Sequence, residues 1–206
     1  MYIDKEKIER TRRRIIDAAN ELLKKIGLSG TNMNQIAKAA KVARSTIYNY
    51  FHSREEIFAD AIRRELKKVH DAFAEVLSED TAEEMLKKYF QVRQEVLREF
   101  SELYHKSREE IEAILPEIKD EYEKLREFER ELIKEILKYG AESGEFIVKD
   151  IDCVAETINK VLIGFEKLVV EEDISDEEAK KHYENFHLIL SSAIKNNAEA
   201  SVVSEY

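Results

Sequence analysis

A chain of 206 residues, 43% of them hydrophobic, is long enough for one large or two small domains around a real core. Five glycines and one proline are too few turn formers for an all-β fold, and the 38% charged residues are mostly good helix formers, which points to an all-α protein. No apolar run approaches the roughly 20 residues that span a bilayer. The N-terminus carries no signal-peptide apolar core, and the single cysteine, Cys153, excludes an intrachain disulfide. These features lead us to expect a cytoplasmic protein with no membrane partner, and Cys153 is expected as a small buried hydrophobe.

Taken in order, the residues before Arg10 are polar and read as a loose arm. From about Arg10 to Ile26, the positions Ile15, Ala19, Leu22, Leu23 and Ile26 make an amphipathic helix that stops at Gly27. Arg12, Arg13 and Arg14 stand near its start, where they could reach phosphates. A turn leads to Asn32, which suits an N-cap and has Gln35 three residues on, a capping-box spacing. Ile36, Ala37 and Ala40 form the buried face of this second helix, and Lys41-Val42-Ala43 breaks the pattern. Ser45 is placed to cap a third helix carrying Ile47, Tyr48 and Phe51. Two short helices joined by three or four residues form a helix-turn-helix, whose second helix fits a DNA major groove.

Ser53 and Glu56 repeat the capping-box spacing. Phe58, Ile62, Leu66, Val69, Phe73 and Val76 then predict one long helix to about Leu77. A helix from about Thr81 to Lys106 follows, then a short one through Ile111 and Leu115, with Pro116 in the first turn of the next, which ends between Gly140 and Gly144. Asp150 opens another helix, with Ile151, Val154, Ile158, Leu162 and Phe165 on its apolar side. Ser175, with Glu178, opens the last, whose stripe is Ala179, Tyr183, Phe186, Leu190 and Ala193, close to a coiled-coil seam. The tail after Asn196 is expected to fray.

The net charge of −10 is unevenly distributed. Up to Arg54, twelve Lys and Arg stand against five Asp and Glu, a local net of +7, which leaves −17 for the remainder. A basic head on an acidic body suits phosphate binding at one end only.

Ile36-Ala37, Ala40, Val42, Thr46-Ile47-Tyr48, Tyr50-Phe51 and Arg54-Glu55-Glu56-Ile57, together with the upstream Ile16-Asp17-Ala18-Ala19 and Gly27, resemble the signature of TetR/AcrR-family transcriptional regulators over about the first quarter of the chain. The chain departs from that family at Lys41, where a glycine is common. A left-handed backbone there would cost a lysine about 1 kcal/mol. The resemblance implies a DNA-binding domain over residues 1–54 and a helical effector-binding and dimerisation domain over residues 55–206. It puts Arg44, Ser45, Thr46, Tyr48, Asn49 and Tyr50 on or beside the recognition helix, with Thr31, Asn34 and Arg54 flanking the groove as phosphate clamps. Arg44 is the strongest base reader, because its fork can take guanine O6 and N7 together.

The resemblance also implies a homodimer through the last two long helices, bound to a palindromic double-stranded operator, and a small-molecule effector held in the body. Candidate effector contacts are Tyr89, Phe90, Gln94, Phe100 and Tyr104, then His105, Phe128, Asn159 and Phe165. They combine an aromatic lining with a few polar points. No cofactor, metal site or catalytic residue is expected: His182 and His187 are five apart and do not share a helix face, and there is no nucleophile elbow or phosphate loop. The function expected is a sequence-specific regulator, a repressor released by a hydrophobic effector. The alternative is a non-specific architectural DNA binder without an effector.

Overall fold

The computed structural model describes residues 5–171 and 174–195, with the side chains of residues 100–111, 113, 169–171 and 176 left out of the description. The described residues form seven α-helices: α1 (Lys5–Ile26), α2 (Met33–Ala39), α3 (Arg44–Tyr48), α4 (Arg54–Ala74), α5 (Ala82–Ser143), α6 (Ile151–Glu171) and α7 (Asp176–Ile194). A 3-10 helix, Glu75–Ser78, follows α4. The all-α expectation is met. The tail after Asn196 lies outside the described residues.

The chain forms two compact units that do not follow chain order. The first joins residues 1–68 with 100–123, and the second joins 69–99 with 124–206. In the first unit, Ile15, Ala19 and Leu23 of α1 are buried with Leu28, Ile36, Ile47, Phe51, Ile57 and Phe58. That core follows from the three-and-four spacing of the apolar positions. In the second unit, Phe73, Val76, Leu86, Tyr89, Leu132, Ile136, Ile158, Leu162 and Tyr183 are buried.

The helix ends follow local chemistry. Asn32 caps α2 by accepting from the N–H groups of Asn34 and Gln35, while its own N–H donates to the Gln35 side chain at 2.8 Å. Gly27 ends α1 with φ 73°, and Gly144 ends α5 with φ 80°. Ser175 caps α7 by accepting the Glu178 N–H.

Several expectations are corrected. The helix α1 begins at Lys5, so residues 5–9 are helical and not a loose arm. α5 is helical from Ala82 to Ser143 with Pro116 inside it, so no helix end falls at Lys106 or Pro116. Yet the chain doubles back within α5, because Arg93 and Glu129 lie 3.1 Å apart where straight helix would separate them by about 54 Å. Ser45 does not cap α3; Ala43 holds the N-cap position without a side-chain bond. Cys153 is exposed, not a buried hydrophobe, and Ala193 is exposed while Ile194 is buried in its place.

Candidate nucleic-acid interface and buried polar cluster

The interface begins with a tight connection between α2 and α3. The Val42 N–H donates to Ala37 O at 3.0 Å and the Lys41 N–H to Lys38 O at 3.2 Å, the paired bonds of a Schellman ending. Lys41 takes φ 53° at the position glycine usually fills. The chain then enters α3, where Ile47 is fully buried and anchors the helix. Arg44, Ser45, Tyr48 and Asn49 are exposed, with Thr46 and Tyr50 half-buried. Arg44 Nη2 donates to the Tyr48 hydroxyl at 3.4 Å and its guanidinium lies 5.8 Å from the Tyr48 ring centre. Asn34 is exposed at the start of α2.

Two expected phosphate clamps point inward. Thr31 is 1% exposed and its hydroxyl donates to Gly27 O at 2.8 Å, so it closes the turn after α1 and is corrected to a structural role. Arg54 donates to Leu28 O at 3.2 Å and Thr31 O at 2.9 Å and pairs with Glu55. Its fork fastens that same turn to the start of α4, which corrects its expected role as a clamp. The arginine run at α1 is also partly committed. Arg12 pairs with Asp60 and lies 5.2 Å from the Phe51 ring centre, and Arg14 binds the carbonyls of Ala40 and Lys41. Arg13, Lys24, Lys25, Lys38 and Lys41 are among the exposed cations of this unit.

The expected effector contacts fall into groups. Tyr89, Phe90 and Phe165 belong to one aromatic row. Phe73 lies 5.4 Å from Tyr89, Tyr89 5.7 Å from Phe90, Phe90 5.8 Å from Phe186, and Phe186 5.7 Å from Phe165. Phe128 packs on His70 at 4.1 Å. Gln94 is half-buried and Asn159 buried. The side chains of Phe100, Tyr104 and His105 lie outside the described residues.

Beside the aromatic row lies an ionic cluster that sequence reasoning missed. Arg93, 5% exposed, donates to Glu129 at 3.1 Å and to Glu166 at 2.9 Å, and Arg126 also binds Glu166. The Tyr89 hydroxyl donates to Glu129 at 3.4 Å. Burial pushes the Glu129 carboxyl above its usual range, against the pull of Arg93 and Arg126. Burial likewise raises the Tyr183 phenol to about 12. Arg93 Nε, the Tyr183 hydroxyl, His187 Nε2 and Ser191 Oγ are buried with no hydrogen-bond partner among the described residues. The signal was present in the sequence: Arg93, Glu129 and Glu166 each occupy a position that the apolar stripe of their helix would otherwise fill.

Comparison with known proteins agrees with this architecture. The family model for bacterial regulatory proteins of the tetR family matches residues 15–61, and that for the C-terminal region of QacR-like proteins matches residues 76–196, more than half of the chain. The chain belongs to the TetR family. It is 41% identical over 56 residues, 27% of this chain, to an HTH-type transcriptional regulator of Mycobacterium tuberculosis, and 36% identical over 58 residues, 28% of this chain, to the HTH-type transcriptional repressor KstR of Rhodococcus jostii. These matches span 28% and 27% of those relatives' lengths.

Among solved structures, a transcriptional regulator from Cytophaga hutchinsonii aligns with TM-score 0.77 at 24% identity, over 88% of this chain and 97% of that one. A transcriptional regulator from Saccharomonospora viridis, solved with choline, aligns with TM-score 0.71 at 23% identity, over 92% of this chain and all of that one. Both likenesses concern the fold. No described helix is long and apolar enough to cross a membrane.

Proposed function

We propose that this chain is a sequence-specific DNA-binding transcriptional regulator, a repressor released from a palindromic operator by a small hydrophobic effector, and that it acts in the cytoplasm without catalysis. The observation that carries the reading is α3: a buried Ile47 anchors it while Arg44, Ser45, Tyr48 and Asn49 stand exposed beside a tight turn. Asn34, Arg44, Ser45, Thr46, Tyr48, Asn49 and Tyr50 are the DNA contacts in this reading. Residues 1–54 carry DNA binding, and residues 55–206 carry effector binding and dimerisation.

Dimerisation through α6 and α7 is supported by Leu188 and Ile189 of α7, which are 60% and 67% exposed. Exposed large apolar residues on one helix suit an isologous contact, the commonest kind in two-fold dimers. Two recognition helices would then read half-sites about 34–36 Å apart or a multiple of that. Effector contacts are proposed at Tyr89, Phe90, Gln94, Phe128, Asn159 and Phe165, where aromatic surface meets buried polar groups. A ligand preferring one of two conformations of the body would alter DNA affinity by a coupling of typically about 1–3 kcal/mol.

Selection of bound duplexes from a random pool at physiological salt tests the reading. One palindrome is expected. Equal recovery of all sequences would instead favour an architectural DNA binder. With the palindrome in hand, Arg44→Ala should erase preference at one position per half-site, a discrimination of about 1–3 kcal/mol. Unchanged selectivity in that variant would remove Arg44 from the groove.

A further inference from the structure

Lys41 is the residue other than glycine with positive φ among the described residues. A side chain there is disfavoured because its Cβ crowds the following carbonyl oxygen, which is why helices usually end on glycine at this position. The strained residue sits three positions before Arg44. It also precedes a helix of five residues that has no side-chain cap of its own. With Ile47 as the one buried anchor within α3, the direction of the helix depends on this turn as well.

One side chain from outside the helix pair grips the turn. Arg14 of α1 donates from Nη2 to Ala40 O at 2.6 Å and to Lys41 O at 3.2 Å. These carbonyls flank the left-handed residue on both sides. They also lie at the C-terminal end of α2, where a cation complements the helix dipole. The next residue, Ile15, is fully buried and fixes α1 beneath the clamp.

We infer that Arg14 is a positioning residue for DNA recognition: it holds the left-handed turn at Lys41 and so sets the direction of α3, and it does not itself bind phosphate. The inference takes its functional readout from the DNA-binding reading above, but the coupling between Arg14 and Lys41 can be measured without DNA.

The test is a cycle of Arg14→Ala, Lys41→Gly and the double variant in the full chain. In thermal melts without DNA, Lys41→Gly should melt above the wild type. Arg14→Ala should melt below it, and by less in the Lys41→Gly background, because glycine adopts the turn unaided. Equal losses in the two backgrounds would overturn the inference. Should Arg14→Ala not fold, the double variant should fold; failure of the double variant would overturn it as well.

On the selected palindrome, Arg14→Ala should bind about tenfold more weakly, with an unchanged slope of log affinity against log salt, and Lys41→Gly should restore most of the loss. A slope shallower by about one phosphate contact, with no rescue, would make Arg14 a phosphate ligand instead. If the wild type selects no duplex, the DNA-binding reading falls and the melting cycle still decides the coupling.

Discussion

The two compact units treat charge in opposite ways. In the first, the core is mostly apolar and most charged groups work at the rim: Arg64 with Asp17, Arg63 with Glu121, and Arg14 and Arg54 on backbone carbonyls. Asp60, held between Arg12 and Arg63, is the more enclosed exception. In the second, Arg93 and Glu129 lie in the core, 5% and 2% exposed, with Glu166 and Arg126 beside them. Rim pairs cost little to form and contribute little. A buried set must offset the loss of water around several ions, and a well-packed apolar set of similar volume is often as stable or more so. A small unit that has to hold one short helix steady is served by an apolar core with ties at its edge. The polar interior of the second unit goes beyond what stability alone calls for.

This contrast can be broken at its strongest point first. Arg93→Met removes the hydrogen-bonded counter-ion of Glu129 and one of the two counter-ions of Glu166 inside the second unit, leaving Arg126 as the nearby cation. It should lower stability by about 3–5 kcal/mol, read from the urea midpoint. A loss no larger than that of a rim pair would mean that water reaches the cluster.

A smaller effect is expected at Glu145. Its carboxylate accepts from the N–H groups of Ala82 and Glu83, both at 3.2 Å, and so caps α5 from beyond its far end. Burial pushes this carboxyl up, but those N–H groups, the Ser143 hydroxyl and Lys195 outweigh it, and it titrates below its usual range. A depressed carboxylate contributes stability that is present above its unfolded pKa and lost as pH falls through its folded one. Glu145→Gln should therefore cost about 1 kcal/mol near neutral pH. The difference in melting temperature from wild type should close below about pH 4. A pH-independent difference would assign the loss to packing. The smallest effect belongs to Asp17→Asn, which removes an exposed pair with Arg64 in the first unit and should cost under about 1 kcal/mol. Added salt should shrink that cost further.

Much of this was legible in the sequence because the signals are local. Asn32 with Gln35, Ser175 before Glu178, and the stops at Gly27 and Gly144 each depend on a few adjacent residues. Apolar spacing alone placed Ile15, Ala19 and Leu23 of α1, Ile36 and Ala37 of α2 and Ile47 of α3 in the core. It also put Ile26 on the buried face, where the structure leaves it 41% exposed. What escaped depends on partners distant in the chain. Pro116 reads locally as a helix start, yet helical backbone continues on both sides of it, and that the two ends of α5 come together shows only in contacts between distant residues. Thr31 and Arg54 look like surface polar groups until the turn they close is folded. Arg93 and Glu129, 36 residues apart, interrupt the apolar stripe where each stands, but that they pair with one another depends on how the chain folds. The exposure of Cys153 likewise depends on which face of α6 is covered.

The composition of the two units sets an order on their formation during synthesis. Every residue of the first unit has been made once position 123 is reached. The second needs pairs such as Lys195 with Glu83, 112 residues apart, and the Ile147 N–H on Ile194 O. Chains tend to fold from the N-terminal side as they emerge, and closing distant pairs is slow. The helix-turn-helix is therefore expected to mature while α6 and α7 are still being made, with the basic end of each nascent chain folded before its acidic end is complete.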